Sequence, residues 1–136
     1  MCYCVYIGVE RPLVLTETNA HRAVFYLEEV SAEEKAVEQH FSKKHVYYAG
    51  SHSGCSCGLF CQPDEPPEAK AAAKAFLQCI SQVLQHAQSV ELYTCWVGNQ
   101  YQVPRERLEN DLADIDVDAN GFDLEEEVFL TLIPKS

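Results

Sequence analysis

The stretch 66-PPEAKAAAKAFLQCISQVLQHAQSVELYTCWV-97 changes its hydrophobic period partway along, and that change decides the fold class. From Pro66 to about Gln88, Ala69, Ala72, Ala73, Phe76, Leu77, Ile80, Val83, Leu84 and Ala87 fall on one helical stripe, with Lys70, Lys74, Gln78, Gln82 and Gln85 outside it. Proline suits the first turn of such a helix, and Asp64 stands just ahead as a candidate cap. From Val90 the period drops to two. Val90, Leu92, Thr94 and Trp96 alternate with Glu91, Tyr93, Cys95 and Val97, as in a strand. A long amphipathic helix running straight into a strand is the unit of a layered α/β domain.

Reading outward, residues 2 to 9 alternate, with Tyr3, Val5, Ile7 and Val9 on one face and Cys2, Cys4 and Tyr6 on the other. Residues 23 to 30 read as a second extended segment. Ser31 with Glu34 is a capping box opening a helix to about Ser42, with Ala36, Val37, His40 and Phe41 inward. His45 to Gly50 is a short aromatic strand. Arg105 to Ile115 reads as a third helix, and Glu127 to Ile133 as a last strand stopped by Pro134. No repeat or linker divides residues 1 to 136. The expectation is a single α/β domain with a mixed β-sheet of four to five strands and two main helices.

The 136 residues are 47% hydrophobic, enough for a core, and carry a formal charge of -11 from 21 acidic and 10 basic side chains. That charge argues against a nucleic-acid partner and against an anionic membrane surface, both of which select Lys and Arg. No apolar run approaches the roughly 18 residues of a membrane span. The N-terminus lacks the basic and apolar regions of a secretory signal. The expected compartment is therefore the cytoplasm, where thiols stay reduced. The seven cysteines are an odd number, so complete internal pairing is excluded.

The strand at 45 to 50 leads into 50-GSHSGCSCGLFC-61, which gathers His52, Cys55, Cys57 and Cys61 among glycines. Three readings compete. Imidazole and thiolates are the ligands of zinc, and these four residues supply a tetrahedral set, although Cys55 and Cys57 lie closer than the usual spacing. Cys2 and Cys4 can join them only if the first strand runs antiparallel to the 45 to 50 strand. In the second reading Cys55 is a nucleophile, His52 its base and Cys57 or Cys61 a resolving thiol. The third is a tight turn of small side chains tucked against the core, since free cysteine is commonly buried.

The run Val46 to Phe60, an aromatic strand entering Gly-Ser-His-x-Gly-Cys-x-Cys-Gly, resembles a signature of small uncharacterised bacterial proteins. Tyr6-Ile7-Gly8 and Arg11-Pro12-Leu13 are similar to that family too. The resemblance implies that His52, Cys55 and Cys57 form a unit. It brings no activity with it.

Near the C-terminus, 116-DVDANGFDLEEE-127 fits the letter pattern of a calcium loop. Its ligands would be Asp116, Asp118, Asn120, the Phe122 carbonyl and bidentate Glu127. Against it, Asp123 occupies a position expected to be apolar, and Val128 to Ile133 is β-rich rather than helical. An acidic turn around Asn120-Gly121 is the competing reading. No phosphate loop, dinucleotide fingerprint, serine elbow or His-Glu-x-x-His motif names a small-molecule ligand.

The leading functional expectation is thus a small cytoplasmic protein whose loop 50 to 61 is the site, binding a soft metal such as zinc. The alternative is a non-enzymatic interaction or scaffolding module with structural cysteines, with a homodimer as one candidate form. A cysteine-dependent enzyme comes third.

Overall fold

Six strands build one mixed sheet: β1 (Tyr3–Val9), β2 (Phe25–Glu29), β3 (His45–Ser51), β4 (Val90–Trp96), β5 (Glu106–Asp111) and β6 (Val128–Ile133). The structure is a computed structural model and describes residues 2–19 and 24–134. His21, and Ala23 at the expected start of the second strand, lie outside the described residues. The strand order is β2-β3-β1-β4-β6-β5. Central β1 is antiparallel to both β3 and β4, so those two run parallel to each other. The α-helices are α1 (Leu15–Thr18), α2 (Pro67–Leu84) and α3 (Val117–Asn120), and α2 carries the chain from β3 to β4. β6 is antiparallel to β4, and β5 is parallel to β6.

Alternation along the strands divides the core into two. On one face Val5, Ile7, Leu27, Ala49, Leu92 and Leu132 pack under Ala72, Ala73, Phe76 and Ile80 of α2. Each large apolar side chain removed from water there stabilises the fold by roughly 1.5–3 kcal/mol. On the other face Cys4, Tyr6, Tyr48, Tyr93, Cys95 and Phe129 pack with Val37. The Tyr6 hydroxyl donates to Glu34 at 2.7 Å, tying the covering segment to the sheet.

The α/β class is as expected, but the sheet has six strands rather than four to five. The extra strand comes from 105 to 115, expected as a helix. Residues 105 to 111 contain a single apolar residue, Leu108, too few to make a helical stripe. They pair with β6 instead, and Arg107 lies 4.4 Å over the Phe129 ring. Asp111 then accepts the Ala113 N–H and opens a short 3-10 turn, Leu112–Asp114.

The second main helix, Ala32–His40, forms as a 3-10 helix. Its buried residues are Val37 and His40, three apart, which matches three residues per turn. The expected capping box is present: the Glu34 carboxylate accepts the Ser31 N–H at 3.0 Å and its hydroxyl at 2.9 Å. Lys70, expected outside the α2 stripe, is buried, and its ammonium donates to the Pro63 carbonyl at 2.6 Å. Among the described residues no helix is long and apolar enough to cross a membrane.

Candidate metal centre

Strand β3 leaves the sheet at Ser51 through a tight turn. The Gly54 N–H donates to the Ser51 carbonyl at 2.9 Å, and the Ser51 N–H returns to the Cys55 carbonyl at 3.0 Å. The Ser51 hydroxyl donates to that same carbonyl at 2.6 Å. Gly54 sits at φ 81°, a left-handed conformation that glycine adopts without strain. A 3-10 turn, Ser56–Leu59, follows.

This turn continues the sheet with side chains. The β1–β3 register ends at Val5↔Ala49. Beyond that pair, buried Ser56 accepts the Val5 N–H at 2.9 Å and donates to the Ala49 carbonyl. Two residues further along β1, the Tyr3 N–H donates to Cys57 Sγ at 3.3 Å. Backbone donors that would be orphaned at the end of a strand are thereby satisfied. The same contacts hold the Cys-x-Cys turn against the start of β1.

Cys2 is the residue before that start, and the geometry completes a cluster. The Sγ atoms of Cys2, Cys55 and Cys57 all lie within 4.8 Å of one another, and each residue is half-buried. The antiparallel pairing of β1 with β3 is the condition under which the N-terminal thiols can reach the loop, and it is met for Cys2. Cys4 does not join. It is buried on the sheet face, where burial pushes its thiol up to about 11.

Two residues named from the loop sequence fall outside the trio. His52 is exposed on the turn, its ring beside Gly58. Cys61 is buried in the α2-side core, and its backbone pairs with Phe122 through bonds of 3.0 and 2.9 Å. The chain has turned away by that point, so four residues beyond Cys57 the thiol faces another layer. Cys2 carries no local signal in the sequence that links it to the loop. Only the strand pairing places it there.

The three sulfurs influence one another. Burial disfavours the Cys55 thiolate, but hydrogen bonds from the Ser53 hydroxyl, the Cys57 N–H and the Cys57 and Cys2 thiols outweigh that, and its pKa is lowered. Cys57 moves the opposite way, raised by burial against the help of the Tyr3 N–H, with Cys55 adding to the rise. The two loop thiols therefore shift in opposite directions within the one cluster. An aromatic wall adjoins it: Tyr3 stacks on Trp96 at 4.1 Å and meets Phe60 edge-on at 5.2 Å. The Trp96 indole N–H donates to Glu126.

Among the described residues, Asp116, Asp118 and Glu127 of the acidic segment do not come together as one ligand group. Asp116 caps α3, accepting the Asp118 and Ala119 N–H groups at 3.1 Å each. Asp118 pairs with Lys74 at 2.9 Å and Lys70 at 3.4 Å. The Phe122 carbonyl accepts the Cys61 N–H, and exposed Asn120 ends the one-turn helix. Glu127 lies beyond the turn at φ 62°, its N–H bonded to the Thr94 carbonyl at 2.7 Å. Those local bonds and the switch into β6 replace the helical exit that a calcium loop needs. Asn120 is the last residue of α3, and Gly121 follows it at φ 74°.

No protein-family model, curated protein or solved structure matches this chain.

Proposed function

We propose that this protein binds a soft metal ion, zinc in the first instance, through Cys2, Cys55 and Cys57. The observation that carries the reading is the mutual approach of the three sulfurs within 4.8 Å. A tetrahedral zinc centre with bonds of about 2.3 Å sets its sulfurs about 3.8 Å apart, so small rotations close the trio on an ion. Thiolates favour zinc and copper(I) over calcium or magnesium. The net charge of -11 favours cations generally. No fourth His, Cys, Asp or Glu joins the group among the described residues, so water or an external ligand takes the remaining zinc position.

The test is anaerobic purification, zinc loading, removal of free metal and elemental analysis. The expected result is close to one equivalent in the parent chain and less than a tenth in Cys2→Ser, Cys55→Ser or Cys57→Ser. Full loading in Cys2→Ser would reject the three-thiol site.

A further inference from the structure

Three sulfurs are one short of a closed tetrahedral zinc shell and one more than a disulfide uses. We propose that the metal-free cluster is a thiol–disulfide exchange centre, in which Cys55 attacks a disulfide substrate and Cys2 resolves the mixed disulfide. Only the competition with zinc described below rests on the metal reading.

Cys55 is the attacking thiol by position. It sits on the outer turn, and the hydroxyl of exposed Ser53 lies 3.6 Å from its sulfur. Cys57 points to the sheet, with its sulfur against the Tyr3 N–H at 3.3 Å. A Cys55–Cys57 bridge is the harder of the two to form. A disulfide brings its Cβ atoms to about 3.5–4.5 Å, whereas Cys55 is extended, with φ -146° and ψ 177°, and Ser56 between them is fixed to Val5 and Ala49. Cys2 lies outside the strand ladder, and its sulfur already hydrogen-bonds with Cys55. It precedes β1, and its carbonyl accepts the Val97 N–H at 3.0 Å.

The chemistry balances with a disulfide as oxidant. The Cys55 thiolate attacks one sulfur of oxidised glutathione, the substrate S–S bond breaks, and one glutathione thiolate leaves as Cys55 becomes glutathionylated. The Cys2 thiolate then attacks the Cys55 sulfur, the Cys2–Cys55 bond forms, and the second glutathione leaves. Two electrons pass from the protein to the substrate, and the two protein protons end on two reduced glutathiones. The disulfide removes two of the three zinc ligands, so metal and disulfide exclude each other.

The experiment treats the metal-free full-length chain anaerobically with excess oxidised glutathione and maps the products by mass spectrometry. The expected product is one Cys2–Cys55 disulfide per chain, with two glutathiones released. Cys2→Ser is expected to stop at a stable glutathione adduct on Cys55. Cys79→Ser, a thiol remote from the cluster, is expected to react like the parent and controls for general thiol reactivity. An internal bridge using Cys57, or stable adducts with no internal bridge in the parent chain, would overturn the proposal. Excess zinc is expected to slow the exchange at least tenfold. Zinc that binds without slowing exchange would overturn the competition. Exchange in a chain that fails to bind zinc would reject the metal reading and leave the exchange centre standing.

Discussion

The side-chain hydroxyl of Ser56 accepts the backbone N–H of Val5 at 2.9 Å, across 51 residues of sequence. Both residues are fully buried, so this bond replaces a ladder bond that β3 no longer supplies. Ser56→Ala leaves the Val5 N–H and the Ala49 carbonyl without that partner. A buried unsatisfied group costs about 1–3 kcal/mol. The expected result is a loss of that size in urea denaturation, together with weaker zinc binding, because Ser56 separates the two loop thiols. Unchanged stability would show that the hydroxyl does not hold the loop to β1.

Two glycines of the same loop respond differently to alanine. At Gly58 a Cβ would stand 2.2 Å from Ser51 Oγ, whose own bond to the Cys55 carbonyl fixes it in place. Gly58→Ala is expected to displace the turn and weaken zinc binding by about tenfold, some 1.4 kcal/mol. At Gly54 a Cβ would meet nothing within 4 Å, and only the φ of 81° opposes it. Gly54→Ala is expected to cost about 1–2 kcal/mol of stability through that backbone strain. Zinc titration and denaturation of both variants separate the two effects.

Alkaline pH destabilises the fold through its buried thiols. Burial raises Cys4 and Cys79 to about 11 and Cys95 to about 12, against an ordinary value of 9.0. The neutral thiol is the form the core favours. Their contribution is therefore complete below pH 9, where the unfolded thiols are also protonated. It declines as pH rises toward 12, because there the unfolded chain binds fewer protons than the native one. Melting temperature measured from pH 8 to 11 is expected to fall, and Cys95→Ala is expected to flatten the slope. A melting temperature that rises across this window would contradict the assignment.

Calcium is expected to leave the protein unchanged. Asp116 and Asp118 are committed to α3 and to the α2 lysines, and Glu127 lies past the turn. Isothermal titration with millimolar calcium is expected to release no heat of binding. Saturable heat would reinstate the acidic loop as a site.

Much of this architecture is legible in residue order, for identifiable reasons. The α2 stripe reflects burial against the sheet, and β1, β4 and β6 are buried on both faces between two clusters, so their apolar runs survive in the sequence. β5 does not announce itself. Residues 106 to 110 are all exposed at the sheet edge, so no apolar alternation is imposed on them, and its pairing is set by β6. The Ala32–His40 segment shows its cap, yet its two buried residues do not separate a 3-10 from an α-helix. In the candidate site, Cys55 and Cys57 stand out by local density. Cys61 and His52 share that density but not the location, because a turn re-aims side chains within a few residues. Cys2 enters only through the antiparallel pairing of β1 with β3, which local pattern does not determine.

Cobalt substitution examines the three-thiol centre most directly. Thiolate-to-cobalt charge-transfer absorption reports sulfur ligands one by one. The account predicts intense near-ultraviolet bands at one equivalent of Co²⁺, weakened in each of Cys2→Ser, Cys55→Ser and Cys57→Ser and retained in Cys61→Ser and His52→Ala. Absence of the bands, or bands that persist in Cys2→Ser and vanish in Cys61→Ser, would contradict it.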